Sequence, residues 1–173
     1  MDVLEAIKGR RSIRKYTDQS VSKELIEILL DAARWAPTAS NQQRWRFIVL
    51  TDHSTRELIR KCSPGIFVGP PVYVVICAEE TANAGEWDRK TYLADCSIAA
   101  QNMMLAAHAL GLGSCVILSY SPTAIQEILD LPESVRPMLV VTLGHRAEDP
   151  EPPARRPLDE IAYEGEYGRE WVR

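Results

Sequence analysis

Residues 93–118 read LADCSIAAQNMMLAAHALGLGSCVIL, and this stretch decides the character of the fold. Its first part predicts a helix over 95–110 that is apolar on most of its faces, so we expect this helix to lie centrally in the domain. Gly111 ends the helix, and residues 114–118 read as a strand. Asp95 and other polar residues interrupt the apolar run, which is therefore unsuited to crossing a membrane.

The rest of the chain alternates short helical patterns with short strand patterns. Apolar residues spaced three and four apart, with a capping residue before them, predict the helices, and short apolar runs predict the strands. The predicted helices run from the Asp2-x-x-Glu5 box to Gly9, from Ser22 to Pro37, from the Ser54-x-x-Glu57 box to about Cys62, and from Ser121-Pro122 to about Leu129. The predicted strands are 45–50, 72–77 and 138–143, and residues 79–90 are expected to form a mobile loop or the start of a helix.

The length of 173 residues predicts a single domain, and no repeat or internal linker divides it. From residue 144 onward the chain is rich in proline and charge and predicts an extended arm. An arm of this kind is either disordered or packed against something, and Leu158, Ile161 and Trp171 favour docking. We expect residues 144–173 to pack on the partner subunit of a homo-oligomer.

Composition excludes several classes of protein. The net charge of -4 argues against binding to nucleic acid or to an anionic membrane surface, and the charged N-terminus is not a signal peptide. The cysteines form no CxxC pair, so they read as small core residues of a reduced, cytoplasmic protein. The histidines are dispersed and show no metal-binding spacing, so no metal site is predicted.

Two clusters of basic residues stand out against the acidic balance. The first comprises Arg10, Arg11, Arg14 and Lys15, and the second comprises Arg155 and Arg156. If the first segment is extended, Arg10, Ser12 and Arg14 point to one side, and their guanidinium and hydroxyl donors suit a phosphate group. Either cluster alone is also explained by ordinary solvated charge. An acidic protein that keeps both is expected to hold a small anion.

Two further segments carry candidate binding residues. TASNQQRW at 38–45 places Asn41 and Gln43, each with a donor and an acceptor, in a loop before a buried strand, although simple turn chemistry explains such a loop as well. The Gly111-Leu112-Gly113-Ser114 segment follows a helix and precedes a strand, which is the reverse of a dinucleotide-binding fingerprint. It instead predicts a helix stop and a backbone that something approaches closely.

Taken in order, these pieces resemble the nitroreductase family of FMN-dependent oxidoreductases. The matching segments are RRSIRKY at 10–16, AARWAPTASNQQRWRFIVL at 32–50, the opening stretch at 93–118 and LVVTLGHRAEDPEPPARRPLDEI at 139–161. The resemblance implies an α+β fold, in which helices wrap a mixed, mainly antiparallel sheet. It also implies an intertwined homodimer with an extended C-terminal arm and two tightly but non-covalently bound FMN molecules at the dimer interface.

The same resemblance implies a role for each matching residue. Those expected to hold the phosphate and ribityl chain are Arg10, Arg11, Ser12 and Arg14, with Arg155 or Arg156 as a C-terminal contact to the phosphate. Those expected beside the flavin ring are Pro37, Thr38, Ser40, Asn41 and Gln43, in part from the other subunit, and the backbone of Leu112, Gly113 and Ser114. Arg44 stands where the family commonly has proline, and residues 79–93 leave room only for a small lid.

The implied activity needs no catalytic side chain, because the flavin N5 carries the hydride in a ping-pong reaction. NADH or NADPH is the expected reductant, and nitroaromatics, quinones or related small molecules are the expected acceptors. Two alternatives remain open at this stage. One is a flavin-binding module without enzymatic activity, and the other is a specialised branch of the family with dehalogenase-like or flavin-modifying chemistry.

Overall fold

The computed structural model describes residues 1–67 and 69–171. Within these ranges the α-helices are α1 (Val3–Gly9), α2 (Lys23–Arg34), α3 (His53–Lys61), α4 (Glu86–Ala109) and α5 (Pro122–Ile128), with short 3-10 turns at Ala39–Asn41 and Leu158–Glu160. The strands described are β1 (Trp45–Leu50), β2 (Val72–Glu79), β3 (Leu112–Ile117) and β4 (Val135–His145). This arrangement confirms the predicted α+β fold.

The strands form one sheet in the order β1-β2-β4-β3, and each neighbouring pair is antiparallel. Strands β2 and β4 lie in the middle of the sheet, and residues 72–78 and 139–144 are buried, as their apolar runs predict. Within the described parts of the chain, parallel pairing is limited to an isolated bridge between Ser12 and Ser114. The sheet of a single chain is therefore antiparallel rather than mixed.

Helices cover both faces of this sheet. Alternate β2 residues point to opposite sides, so Val74 joins the core formed with α2 and α4, whereas Tyr73 joins the core formed with α3 and α5. Helix α4 lies against the first face and buries Met103 and Ala107 completely. Its central position confirms the expectation from its apolar sequence.

Helix α4 begins earlier than the sequence pattern predicts. The expected start was Asp95, but the helix begins at Glu86, where the Gly85 N–H donates to the Asp88 side chain at 2.8 Å. Residues 86–90 at its start are exposed or half-buried, and a Lys90–Glu86 ion pair lies along them. Periodicity of apolar residues detects only the part of a helix that packs on something. Of residues 79–90, which were expected to form a mobile loop or the start of a helix, residues 86–90 form the start of α4.

Other boundaries differ by smaller amounts. Helix α3 is capped by Asp52, whose side chain accepts the Thr55 N–H at 2.8 Å, so the predicted Ser54 capping box is wrong. Strand β3 begins at Leu112, and β4 extends three residues before and two beyond the predicted strand over 138–143. The remainder of the arm, up to Trp171, has little regular structure, and Leu158, Ile161 and Trp171 are exposed in the single chain. Val172 and Arg173 lie outside the described residues.

Candidate functional site

The segment after α1 lies along the first residues of β3. The Ile13 N–H donates to the carbonyl oxygen of Ser114 at 2.9 Å, and the Ile13 side chain is buried. It packs directly on Gly113, where a Cβ atom would stand 2.8 Å from Ile13 Cγ2. Gly113 is therefore the close approach that the sequence indicates, but the approaching group is Ile13 of the same chain. Leu112 is buried in the core, so its side chain is not exposed to a ligand.

A cavity of about 270 Å³ opens on the other side of this segment. It is lined by Arg10, Arg11, Ser12, Arg14, Pro150, Glu151, Pro153 and Arg155. The structure thus brings one arginine of the C-terminal cluster beside the N-terminal cluster. The other, Arg156, is not among the lining residues and pairs instead with Glu160 at 3.0 Å. This placement distinguishes two neighbouring arginines that the sequence leaves equivalent.

The donors in this cavity lack negatively charged partners. Among residues 1–67 and 69–171, no ion pair joins Arg10, Arg11, Arg14 or Arg155 to a carboxylate. The Nε atom of Arg10 is buried and finds no hydrogen-bond acceptor in the part of the chain that the structure describes. A buried donor without an acceptor is costly, so its presence points to an anionic ligand that supplies one. Several guanidinium groups and the Ser12 hydroxyl form a donor set that fits a phosphate.

Two side chains that sequence reasoning missed hold the arginine segment in place. The Glu148 carboxylate accepts the backbone N–H groups of Arg14 and Lys15 at 2.6 and 3.1 Å. The Tyr16 hydroxyl shares a hydrogen bond of 2.8 Å with Thr142 Oγ1 and donates to the Ile13 carbonyl. Burial raises the pKa of Tyr16 above its ordinary value, so this hydroxyl keeps its proton. No local sequence signal connects residues more than 120 positions apart.

His108, near the end of α4, lies against the same segment. A Cβ atom on Gly9 would meet His108 Nε2 at 2.7 Å, so the histidine ring rests on the end of α1. Burial lowers the pKa of His108, and the charges of Arg146, Arg10 and Arg11 lower it further. His108 is therefore neutral near pH 7 and adds no charge to the positive cavity.

The second predicted group of binding residues lies in the loop between α2 and β1. Ser40, Asn41 and Gln43 have φ angles of 51°, 54° and 51°, which non-glycine residues seldom adopt. The Gln43 N–H donates to Thr38 Oγ1 at 3.1 Å, and the Gln43 amide donates to Asn41 Oδ1 at 3.1 Å. Asn41 and Gln43 are exposed, as are Pro37 and Ser40. Their polar groups are thus available to a ligand.

Helix α4 contacts this loop at two points. Both Asp95 carboxylate oxygens lie within 3.3 Å of the Ala39 N–H, which they accept. Burial raises the pKa of Asp95, and the bond to Ala39 partly opposes that rise. The Arg44 guanidinium lies over the Tyr92 ring at 6.0 Å and donates to Gln42 Oε1 at 2.7 Å. Arg44, which stands where the family commonly has proline, therefore joins the end of the loop to α4.

A single chain does not bring the two groups together. The loop contacts α4 at Asp95, whereas the arginine segment meets α4 at His108. Thirteen residues of helix separate these contacts, which is about 20 Å along the axis. Each group is built within one chain, but the loop contacts the middle of α4 and the arginine segment lies beside its C-terminal end.

A metal centre and a membrane-spanning helix are both absent from the described ranges. No group of three or more histidine, cysteine, aspartate or glutamate side chains there has the arrangement that holds a metal ion. None of the helices described combines the length and apolar character that a bilayer crossing requires.

Comparison with known proteins gives the family. The Nitroreductase family profile matches residues 7–87 and 60–145. A Methanothermobacter thermautotrophicus relative, whose name couples NADH dehydrogenase with NAD(P)H nitroreductase, is 42% identical over 158 residues, or 87% of this chain and 80% of the relative. A Bacillus subtilis protein named FMN reductase (NADPH) is 30% identical over 191 residues, covering 96% of this chain and 74% of that protein.

A solved structure agrees with this result. The crystal structure of a nitroreductase family protein from Clostridium difficile superposes with a TM-score of 0.84 at 30% identity, over 96% of this chain and 99% of that one. The chain belongs to the nitroreductase family. It is accordingly an oxidoreductase, and the resemblance seen in its four sequence segments is confirmed.

Proposed function

We propose that this chain is an FMN-dependent oxidoreductase that uses NADH or NADPH to reduce nitroaromatic, quinone or related small acceptors. The observation that carries the proposal is the arginine-lined cavity, in which the buried Arg10 Nε lacks an acceptor. Relatives named FMN reductase and NADPH-flavin oxidoreductase support both the flavin and the nicotinamide reductant. When bound, FMN would supply the hydride-transfer chemistry that links the nicotinamide to the acceptor.

The residues of this chain bind and orient the cofactor. Arg10, Arg11, Arg14 and Arg155 neutralise the phosphate, and the Ser12 hydroxyl adds a donor. Charge-assisted hydrogen bonds of this type are stronger than neutral ones, so several together support tight, non-covalent binding. Gly113 and Ser114 would support the site from behind, because they hold Ile13 and with it the arginine segment against β3.

The remaining contacts come from the loop of a second subunit in this proposal. Pro37, Thr38, Ser40, Asn41 and Gln43 would contact the flavin ring. The separation of about 20 Å along α4 supports this arrangement, because the loop of one chain lies away from the cavity of the same chain. In a homodimer, the loop of each subunit could complete the site formed by the arginine segment of the other, so both groups would contact the same FMN. The exposed apolar residues of the arm, such as Leu158 and Ile161, would be covered in that dimer.

Flavin binding is the first test. The purified protein is expected to be yellow or to gain a flavin absorbance band on incubation with FMN. The Arg10→Ala/Ser12→Ala variant is expected to bind FMN at least about tenfold more weakly, because charge-assisted bonds contribute roughly 1.5–3 kcal/mol each. Lys61→Ala, an exposed cation on α3, is the matched control and should bind normally. A colourless protein that does not take up FMN would overturn the assignment.

Turnover separates an enzyme from a binding module. The FMN-loaded protein is titrated anaerobically with NADH and with NADPH, and oxidation of each is then followed with menadione or a nitroaromatic. If the protein is an enzyme, its flavin absorbance is expected to bleach with at least one of the two nicotinamides and to recover when the acceptor is added. Flavin that stays oxidised with both nicotinamides would favour the non-enzymatic module instead.

A further inference from the structure

We propose that Asp95 and Arg44 are positioning residues that hold the loop over 38–44 in the shape that binds FMN. Asp95 acts from α4 on one end of the loop, and Arg44 anchors the other end on Tyr92. We name these two contacts, Asp95 with Ala39 and Arg44 with Tyr92, the loop clamp. The proposal rests on the proposed function, since it assigns the loop to the flavin ring.

The loop needs support from outside itself. Three of its non-glycine residues, Ser40, Asn41 and Gln43, have positive φ angles. Asparagine tolerates this region, but serine and glutamine adopt it rarely, so the conformation persists only where surrounding structure imposes it. The bonds inside the loop, from Gln43 to Thr38 and Asn41, join exposed groups and do not attach it to the core.

Asp95 supplies the missing attachment at the start of the loop. The 3-10 turn Ala39–Asn41 has Thr38 as its N-cap residue, but the Thr38 side chain makes no cap hydrogen bond to the turn. The Asp95 carboxylate instead accepts the first N–H of the turn, at 3.2 and 3.3 Å from its two oxygens. A side chain from a distant helix therefore performs the role that a local cap normally has.

The environment of Asp95 makes a purely stabilising role unfavourable. Asp95 is only 8% exposed, and in the described part of the chain it pairs with no cationic side chain. Burying a carboxylate without a counter-ion costs stability, and one backbone N–H offsets that cost incompletely. An apolar residue would pack there at lower cost, so the polar side chain of Asp95 is explained by the Ala39 N–H that its oxygens accept.

Arg44 provides the second attachment. Its guanidinium lies over the buried Tyr92 ring and donates to Gln42, while its backbone carbonyl accepts the Glu79 N–H at 2.9 Å. Tyr92 and Asp95 are three residues apart, so they lie on one face of α4. One turn of α4 thus contacts both ends of the loop. The directions of the Asn41 and Gln43 amides follow from the backbone that these contacts fix.

The clamp is tested by FMN titration of Asp95→Ala and Asp95→Asn. Asp95→Ala removes the acceptor and is expected to weaken FMN binding roughly tenfold, the scale of one hydrogen bond to a charged group. Asp95→Asn keeps an acceptor oxygen and is expected to stay within about threefold of wild type. Thermal unfolding of the FMN-free proteins is measured alongside, and the fold of Asp95→Ala is expected to remain intact because a buried unpaired charge is removed.

A second pair of variants tests the other end. Arg44→Lys keeps the charge but loses the planar contact and the Nε donor, and it is expected to weaken FMN binding, with Arg89→Lys as a matched control on α4.

Hydrogen exchange at the Ala39 amide gives a reading without any variant. This amide is expected to be protected in the FMN-free wild type, and to exchange at least about tenfold faster in Asp95→Ala if that variant folds.

The outcomes separate this proposal from the proposed function. A wild-type protein that binds no FMN would overturn the proposed function itself. If the wild type binds FMN and Asp95→Ala binds it equally well, only the clamp is refuted. An Asp95→Asn variant as impaired as Asp95→Ala would refute the role of the acceptor oxygen. An unprotected Ala39 amide in the wild type would refute the clamp even if Asp95→Ala does not fold.

Discussion

At Gly113, the absence of a single methyl group decides how closely the arginine segment approaches the sheet. Ile13 fills the space that a Cβ atom would take, and this contact turns Arg10, Ser12 and Arg14 outward to the cavity. Glycine at this position is therefore a packing requirement. Gly111, two residues earlier, is required for a different reason, since its φ is 79° and nothing lies within 4 Å of its missing Cβ.

The variant Gly113→Ala tests this contact. It is expected to destabilise the protein by about 1–3 kcal/mol, the usual cost of overpacking, and also to weaken FMN binding because it displaces the arginine segment. Gly111→Ala is the matched control, expected to lower stability through backbone strain while leaving FMN affinity nearly unchanged. Urea unfolding and FMN titration measure the two effects. Equal loss of FMN affinity in both variants would contradict the role given to Gly113.

At the scale of elements, α4 organises both halves of the site. Asp95 in its middle holds the loop, and His108 near its end lies beside the arginine segment. The shorter helices that pack on the sheet depend on their capping residues for stability. Helix α3, on the opposite face of the sheet, depends on Asp52, which accepts bonds from Thr55 and from the Ser54 hydroxyl.

The cap of α3 gives a prediction that depends on pH. Hydrogen bonds from Ser54 and Thr55 lower the pKa of Asp52 from 3.8 to about 2. A lowered folded-state pKa stabilises the protein above the unfolded value, and the contribution is lost as pH falls through the folded value. Asp52→Ala is therefore expected to lower the urea midpoint at neutral pH, and the difference from wild type should shrink between pH 3.8 and about 2. Ser54→Ala is the control and should have a smaller effect; a larger one would restore Ser54 as the cap.

At the scale of the whole molecule, the two binding groups contact α4 about 20 Å apart along its axis. The separation is a consequence of α4, because a helix of 24 residues is rigid and about 36 Å long. Neither group can slide toward the other without breaking the packing of α4 on the sheet. The arm, with Leu158 and Ile161 exposed, is a second region that a single chain leaves uncovered.

Subunit mixing tests whether the site is shared. The variants Arg10→Ala/Ser12→Ala and Asn41→Ala/Gln43→Ala are each expected to bind FMN poorly. When they are co-expressed in equal amounts, half of the dimers are mixed and each mixed dimer has one intact site, so roughly a quarter of wild-type FMN binding should return. A chain carrying all four changes, co-expressed with Arg10→Ala/Ser12→Ala, is the control. No recovery in the first mixture would place each site within one chain.

Much of the fold was predictable from local patterns. The apolar character of 95–110, the continuous apolar run of β2 and the glycine after α4 predicted a central helix and a buried strand, and the structure confirms both. The start of α4 was not predictable, because residues 86–90 are mostly exposed and carry no apolar periodicity. The Asp52 cap was missed because serine and aspartate are both good caps, and only the backbone shows which one accepts the N–H of Thr55.

The sequence by itself determined the family: the residue types of RRSIRKY, the amides of the loop and the order of the four segments point to the nitroreductase family of oxidoreductases. Only the tertiary structure decided which of these residues contact one another. It placed Arg155 rather than Arg156 in the cavity, Glu148 beneath Arg14, and Asp95 under the loop. The physical reason is that donor and acceptor types are local properties of residues, whereas contacts between residues far apart in the chain depend on how the sheet and α4 pack.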